Sequence, residues 1–412
     1  MLAKVLHLWV CVAVLHAQNP APPGAGSSSD KKHKQLLGQG VAQFESGAYE
    51  SAFGTLQSAH ALARDHVETR HFLAAARCKL GAIAHREGDL ERAARHYDAA
   101  ALLWPKEAKI LAGLGRIRFD QERYEDAETV LTSANEAAPE DVEVLCLLAA
   151  VAEKRDQHER AGAIYARAAE LAPQRDELKK LAEKLARVAT VESGFTTLEV
   201  GPFRIQYDRK DKTIGEALGF VQSTLRVAHA DLQRDLGAAP KKPIGVQLYD
   251  EARYRSVREN PLAAAFFDGR LRVPVGKWPA GRDELCANLR HELAHAFLFA
   301  LYPNLPRWIH EGYAQVIEKK SVDGARSRLR AASSWLTVAA FEGEFATTED
   351  SELMRRGYDQ ALLVMTWLRK DQRRCSQLLI AFATAGTTSE TAIQQVYGFS
   401  FAELVQRARR GT

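Results

Sequence analysis

Leu289-Arg-His-Glu-Leu-Ala-His-Ala-Phe-Leu298 is the stretch on which the reading of the second half of this chain turns. Its apolar content and the four-residue spacing of His291 and His295 read as a helix. At 3.6 residues per turn, positions four apart lie about 40° apart around the axis, so both imidazoles leave one face. Two neutral imidazoles aimed at a common point can take two corners of a tetrahedral Zn²⁺ site. Glu292 then sits beside the open corner, where a carboxylate can accept a proton from water. With 13 His in 412 residues, such a pattern arises by chance on the order of 0.02 times per chain, so it is informative without being decisive. A helix carrying two satisfied histidines fits the same ten residues.

The next twenty residues sharpen the choice. Pro303, Asn304 and Pro306 mark a turn, and Trp308-Ile-His-Glu-Gly-Tyr-Ala-Gln315 reads as a second helix carrying Glu311. A helix, a short turn and a second helix bring a carboxylate back beside the first. Two His and one carboxylate leave a fourth position for water, as a catalytic rather than a structural zinc site requires.

The pair of motifs, H-E-x-x-H and W-x-x-E-G-x-A, resembles the gluzincins, the thermolysin-like metallopeptidases. It is most similar to their peptidase MA-like group, on three segments: His291-Glu-Leu-Ala-His295, Leu305-Pro-Arg-Trp308 and Glu311-Gly-Tyr-Ala314. The resemblance implies one Zn²⁺ per chain on His291, His295 and Glu311, Glu292 as general base and acid, and a peptide or protein substrate. It also implies an α+β zincin-like domain over residues 191–412, although the specific motifs occupy only 289–315.

Two departures from thermolysin stand out. Fifteen residues separate His295 from Glu311, which demands a tight connection. Where thermolysin has an Asp orienting a ligand histidine, this chain has Gln315, whose amide oxygen can accept an imidazole N–H but lacks the charge that raises ligand basicity. Weaker metal affinity is the expectation. No Gly-Ala-Met-Glu-Asn-like segment precedes the motif, which points to an endopeptidase and leaves an aminopeptidase as an alternative.

Around the motif, Thr196 to Tyr207 alternates as a strand, Ile214 to Leu236 has helical spacing, and Ile244 to Tyr249 is a second strand. Residues 264–268, Gly269 and Arg270 to Val275 read as a hairpin with an Asp-Gly turn. Pro274 predicts that its second strand lies at the sheet edge. The edge strand of a zincin is where an extended substrate pairs; an ordinary hairpin covering the core fits equally. Downstream, Gly357-Tyr-Asp-Gln-Ala-Leu-Leu-Val364 opens a helix. Tyr358 is the candidate donor to a developing oxyanion, or a tyrosine packed at a helix start. His310 points about 100° away from Glu311 on its helix and reads as a surface or supporting residue. Trp308 and Tyr313 read as core or pocket wall.

The first half has a different grammar. Pro105, Pro139 and Pro173 fall 34 residues apart, as do Ala93, Ala127 and Ala161; Leu80, Leu114 and Leu148; and Ala100, Ala134 and Ala168. Gly81, Gly115 and Ala149 share the register, and Tyr97, Leu131 and Tyr165 hold a large position. That period, with small residues where helices cross and Pro closing each unit, is the signature of tetratricopeptide repeats. An earlier unit contains Gly40, Tyr49, Ala52, Leu56 and Ala59. Four repeats over 35–173 are therefore expected, capped by an amphipathic helix over 174–190 that carries Leu178, Leu181, Leu185 and Val188. Stacked repeats expose a concave surface suited to a protein or peptide partner, or serve as a spacer.

Met1 to Ala17 is short and apolar after Lys4, the pattern of a signal peptide, and 18–34 reads as a flexible linker. Export to a periplasm or outside the cell follows. Cys11 lacks the preceding small residue of a lipoprotein signal. Without Cys11, four widely spaced cysteines remain, and a Cys286–Cys375 bridge stays open. A hydrophobic content of 46% supports two globular domains, while a net charge of +4 without patterning, as in the solvated run Lys31-Lys32-His33-Lys34, argues against a nucleic-acid partner. No membrane-spanning segment is expected. The expectation is thus a multidomain protein: an all-α repeat solenoid followed by an exported zinc peptidase. The competing expectation is a repeat-based adaptor whose zincin-like lobe is catalytically silent.

Overall fold

The structure, a computed structural model, describes residues 28–258, 265–331, 335–345, 350–384 and 386–411. The expected signal peptide, and the part of the expected linker up to residue 27, lie outside them. The chain divides between Leu185 and Ala186 into two compact units.

Unit one is helical throughout its described residues. Four antiparallel hairpins follow one another: α1 (Ser28–Glu45) with α2 (Tyr49–Leu62), α3 (Val67–Arg86) with α4 (Leu90–Leu103), α5 (Ala108–Asp120) with α6 (Tyr124–Ala137), and α7 (Val142–Lys154) with α8 (His158–Leu171). The periodic small residues act where they were expected to. A Cβ on Gly40, Gly81 or Gly115 would stand 2.6, 2.8 or 2.5 Å from the side chain of Leu56, Tyr97 or Leu131 respectively. Each of the first three hairpins thus pairs a bare backbone on its first helix with a large side chain on its second, and close-packed interiors leave no slack for an extra methyl. Ala93, Ala127 and Ala161 are fully buried at the same crossings. The next helix, α9 (Asp176–Glu192), sets Leu178, Ala182 and Leu185 against Ala149 and Tyr165.

The expected linker is shorter than its composition indicated. Residues 28–34 already belong to α1, with Asp30 in the first turn, where a negative charge favours a helix start. Lys31, Lys32 and Lys34 face solvent. His33 is buried and shares a hydrogen bond of 2.9 Å with Thr69 Oγ1, which ties this segment to α3 of the second hairpin.

Unit two contains a small five-stranded sheet in the order β1-β2-β3-β5-β4. The single strand expected over 196–207 is a hairpin, β1 (Thr196–Val200) and β2 (Phe203–Tyr207), because Gly201 turns the chain at φ 56°. β3 (Ile244–Tyr249) runs parallel to β2 and to β5 (Leu271–Pro274), and β4 (Phe266–Phe267) pairs antiparallel with β5. β5 is therefore an inner strand, contrary to the expectation drawn from Pro274. β4 covers only Leu271 and Arg272, so the missing N–H of Pro274 falls where that neighbour has ended. On the other side the ladder continues past it, with Val275 N donating to Tyr249 O at 2.7 Å.

Helices pack around the sheet: α10 (Lys212–Leu236), α11 (Glu251–Val257), α12 (Arg282–Leu301), α13 (Arg307–Glu318), α14 (Val322–Ala331), a π-helical turn (Ala340–Glu344), α15 (Ser351–Leu368), α16 (Gln372–Ala381), α17 (Ser389–Tyr397) and α18 (Phe401–Arg410). Leu289, Leu293 and Phe297 of α12 share a core with Val246 and Leu248 of β3 and Leu225 of α10. Trp308 and Tyr313 are core residues whose polar ends are satisfied: the indole donates to Ser389 Oγ at 3.0 Å, and the phenol bonds Asp235. Asp235 also accepts from Arg369 at 3.0 Å and Gln372 at 2.7 Å, so one carboxylate ties α10 to α13, α15 and α16. Cys286 and Cys375 are free thiols rather than a bridge. Among the described residues no helix is long and apolar enough to cross a membrane.

The glycine–side-chain pairs make a direct test. Gly115→Ala should destabilise the protein by about 1–3 kcal/mol through overpacking against Leu131. Gly38→Ala, on an open face of α1 with nothing within 4 Å, should instead stabilise by up to about 1 kcal/mol through helix propensity. Equilibrium urea unfolding of the two variants measures both, and equal effects would refute the crossing argument.

Candidate metal centre

The centre is built on two consecutive helices and the turn between them. α12 ends at Leu301, Tyr302 N returns to Leu298 O at 2.8 Å, and Pro306 starts α13 in an extended conformation. The connection is five residues long, so α13 folds straight back along α12. Arg290 locks the pair by donating from Nε to Ile317 O at 3.0 Å, at the open carbonyl end of α13. α13 also crosses α15 at Gly312, where a Cβ would come within 2.5 Å of Ala361 O. A side chain there would force the two helices apart. That crossing explains the glycine after Glu311.

These packings bring His291, His295 and Glu311 together. Their nearest atoms are His291 Nε2 and His295 Nε2 at 3.2 Å, with Glu311 Oε2 at 3.6 and 3.7 Å from them. Ligand atoms 2.0–2.1 Å from a tetrahedral zinc stand roughly 3.3–3.4 Å from one another. The observed triangle fits that figure within a few tenths of an ångström. The donor set also fits in its chemistry, with two imidazole nitrogens and one carboxylate oxygen turned inward on a common point.

Glu292 is buried and lines the same cleft, of about 410 Å³, together with Phe267, Arg307 and Tyr358. Burial pushes its carboxyl up to about 7; His291 opposes the shift and Glu311 reinforces it. Glu292 is thereby poised to gain or lose a proton near neutrality, as a general base should be. Glu311 moves the other way: burial would raise it, but His295, His291 and Arg307 outweigh burial and keep it ionised. Burial drives the His295 pKa down. It would do the same to His291, but the Glu311 and Glu318 carboxylates hold that imidazole up.

Three positions differ from the sequence-based reading. Gln315 touches neither histidine; its amide donates to Glu311 O at 3.2 Å and Tyr358 O at 2.9 Å, tying α13 to α15. The group that meets a candidate ligand from behind is Glu318, whose carboxylate lies 2.9 Å from His291 Nδ1 and is held in turn by Lys320 at 3.0 Å. Glu318 lies seven residues, almost two full turns, after Glu311 and so projects from the same face of α13. That spacing was the available signal for it. A carboxylate behind the imidazole fixes its tautomer and raises its basicity, so the expectation of a weaker site loses its basis.

Of the two readings of His310, surface or supporting, the structure excludes the first. His310 is buried in the cleft wall, stacked on Phe299 with ring centroids 4.3 Å apart, and neither ring nitrogen has a hydrogen-bond partner among the described residues. Tyr358 does not open its helix, since α15 begins at Ser351 behind the cap Asp350. It lies mid-helix, half-buried, and shares the cleft wall with Arg307. Burial, helped by the charge of Glu311, pushes the phenol up to about 12, so it remains a donor at neutral pH. Arg307 itself, absent from the sequence-based site, contacts Glu311 Oε1 at 2.8 Å.

Comparison with known proteins bears on the other unit. Residues 84–151 match the tetratricopeptide repeat family. That segment is a tetratricopeptide repeat array. Solved structures similar to the chain include the Arabidopsis OM64 TPR domain (19% identity, 27% of this chain and 93% of that one, TM-score 0.26). Pseudomonas aeruginosa pilF (18%, 40% and 72%, TM-score 0.29) and MamA of AMB-1 (17%, 39% and 84%, TM-score 0.32) are others. No curated protein matches the chain.

Removing the carboxylate behind His291 should weaken the triad's hold on any metal ion. Glu318→Ala is expected to weaken zinc binding by about 10–100-fold, the usual range for such a partner. Gln315→Met, which keeps the volume and drops the amide, should leave affinity nearly unchanged. Competition against a chromophoric chelator gives both numbers, and a reversed ranking would restore Gln315 as the orienting group.

Proposed function

We propose that the protein is a zinc-dependent peptidase carrying a repeat array that docks proteins or peptides. The observation that supports this reading is the convergence of His291, His295 and Glu311 at 3.2–3.7 Å beside the buried carboxyl of Glu292. The arrangement is like that of the gluzincins, to which the motifs are similar. His291, His295 and Glu311 would hold the ion. When bound, zinc supplies polarisation of the scissile carbonyl and acidification of water.

The remaining chemistry belongs to the chain. Glu292, poised near neutrality, accepts a proton from the attacking water and delivers one to the departing amine. Tyr358, a neutral donor facing the same cleft, hydrogen-bonds the oxygen that gains charge as the carbonyl becomes tetrahedral. β4, one of the two outer strands of the sheet, contributes Phe266 and Phe267 to the cleft rim. Its outer edge, unpaired among the described residues, suits a substrate running as an added strand, which favours an endopeptidase. Helices of the repeats offer the docking surface, as stacked repeats commonly do. Export remains part of the proposal, on the apolar start Met1–Ala17.

A second reading, a repeat-based adaptor whose other unit is catalytically silent, is favoured by the family match, which falls within the repeats. Zinc analysis together with cleavage of a generic unfolded protein separates the two. The peptidase reading expects about one zinc per chain, hydrolysis lost in Glu292→Gln with zinc retained, and metal lost in Glu311→Ala. A residue that transfers the catalytic proton contributes at least about 10²-fold to rate, so Glu292→Gln should fall by that or more. Stoichiometric zinc in Glu311→Ala would refute the ligand assignment. Zinc without turnover in the wild type would favour the adaptor. A requirement for a free amino terminus would mark an aminopeptidase.

A further inference from the structure

Arg307 occupies the first turn of α13, directly after Pro306. Its Nε stands 2.8 Å from Glu311 Oε1 in an ion pair, one helical turn along, while Oε2 of the same carboxylate faces His291 Nε2 and His295 Nε2 at 3.6 and 3.7 Å. The two oxygens of Glu311 therefore have separate partners. The guanidinium also interacts with the phenol of Tyr358 in α15. A guanidinium carries five donors in a rigid fork and accepts nothing, so it can hold a carboxylate oxygen and a phenol oxygen together. Glu311 is nearly fully buried, so no competing solvent shell fixes its orientation. An unrestrained carboxylate beside a divalent ion can bind through one oxygen or both, and carboxylates do both in proteins.

We propose that Arg307, anchored by Tyr358, is a positioning residue that reserves Oε1 of Glu311 and keeps this residue a one-oxygen metal ligand. A site held this way would have three protein donors and one water, whereas two-oxygen binding with the water retained would raise the count to five. This inference rests on the metal-binding reading of His291, His295 and Glu311. It assigns to Arg307 a role in coordination number, which a merely structural surface arginine would not have.

The test loads metal-free full-length protein with Co²⁺, whose visible absorption is strong in four-coordinate sites and several-fold weaker in five-coordinate ones. Wild type, Arg307→Met and Arg307→Lys are compared at one equivalent of metal, with Glu311→Ala as the site control and circular dichroism reporting the fold. Wild type should show the strong spectrum, and Arg307→Met, which keeps the stem and loses every donor, should show a several-fold drop in absorptivity per bound ion. Arg307→Lys, which retains one donor for Oε1, should recover the wild-type spectrum. Matching spectra for wild type and Arg307→Met overturn the proposal, as does a folded Arg307→Met that binds no cobalt. Failure of wild type to bind cobalt, or equal binding by Glu311→Ala, sinks the ligand reading itself and is distinguishable from both.

Discussion

The crossing of α13 and α15 at Gly312 is the constraint on which the candidate site depends. With a carbonyl oxygen 2.5 Å from where a Cβ would be, the backbones meet without side chains between them. This contact sets the depth of α13 between α12 and α15. Glu311, one residue before the contact, then faces the histidines of α12, and Tyr358, three residues before Ala361, reaches Arg307. Close-packed helices cannot be shifted by a methyl group without moving every side chain they carry.

Burial of the polar groups is costly, and the structure shows how the cost is distributed. Glu292 and Glu311 are almost wholly buried, and Glu318 is partly so. Arg307 and Lys320 answer two of these charges at the rim. Two imidazoles face Glu311 from the interior, one held towards its charged form and one towards its neutral form. An isolated charge in a protein interior must be paired or coordinate a cation. The inward-facing triangle is of that kind, whereas the Asp235 cluster, saturated by Tyr313, Arg369 and Gln372, serves as a structural tie.

Much of this was legible in the sequence because its periodicities are local. The 34-residue register named the small residues at the crossings, and Gly40, Gly81 and Gly115 meet large side chains sixteen residues on in each case. Ile244–Tyr249 was read with its observed limits, and α10 begins two residues before its expected start. Misreadings came where a local rule met a neighbour it could not foresee. Pro274 marks an unpaired N–H but not which strand is outermost. The pattern over 196–207 alternates in both strands of a hairpin, so only the positive φ of Gly201 reveals the turn. Composition called 28–34 a linker, and the distant Thr69 makes it a helix by satisfying His33.

What the sequence determined by itself is the set of groups that share a helix face: His291 with His295, the repeated small residues of the hairpins, and Glu318 two turns beyond Glu311. Helical geometry relates such positions without any knowledge of the rest of the chain. Tertiary structure alone decided which face meets which. It put Glu318 rather than Gln315 behind His291, buried His310 in the cleft wall, moved Tyr358 to mid-helix, and gave Glu311 Oε1 to Arg307. Those outcomes depend on the angle and depth at which α12, α13 and α15 pack, and these are set by side-chain volumes contributed from segments as far apart as Phe203 and Ala408.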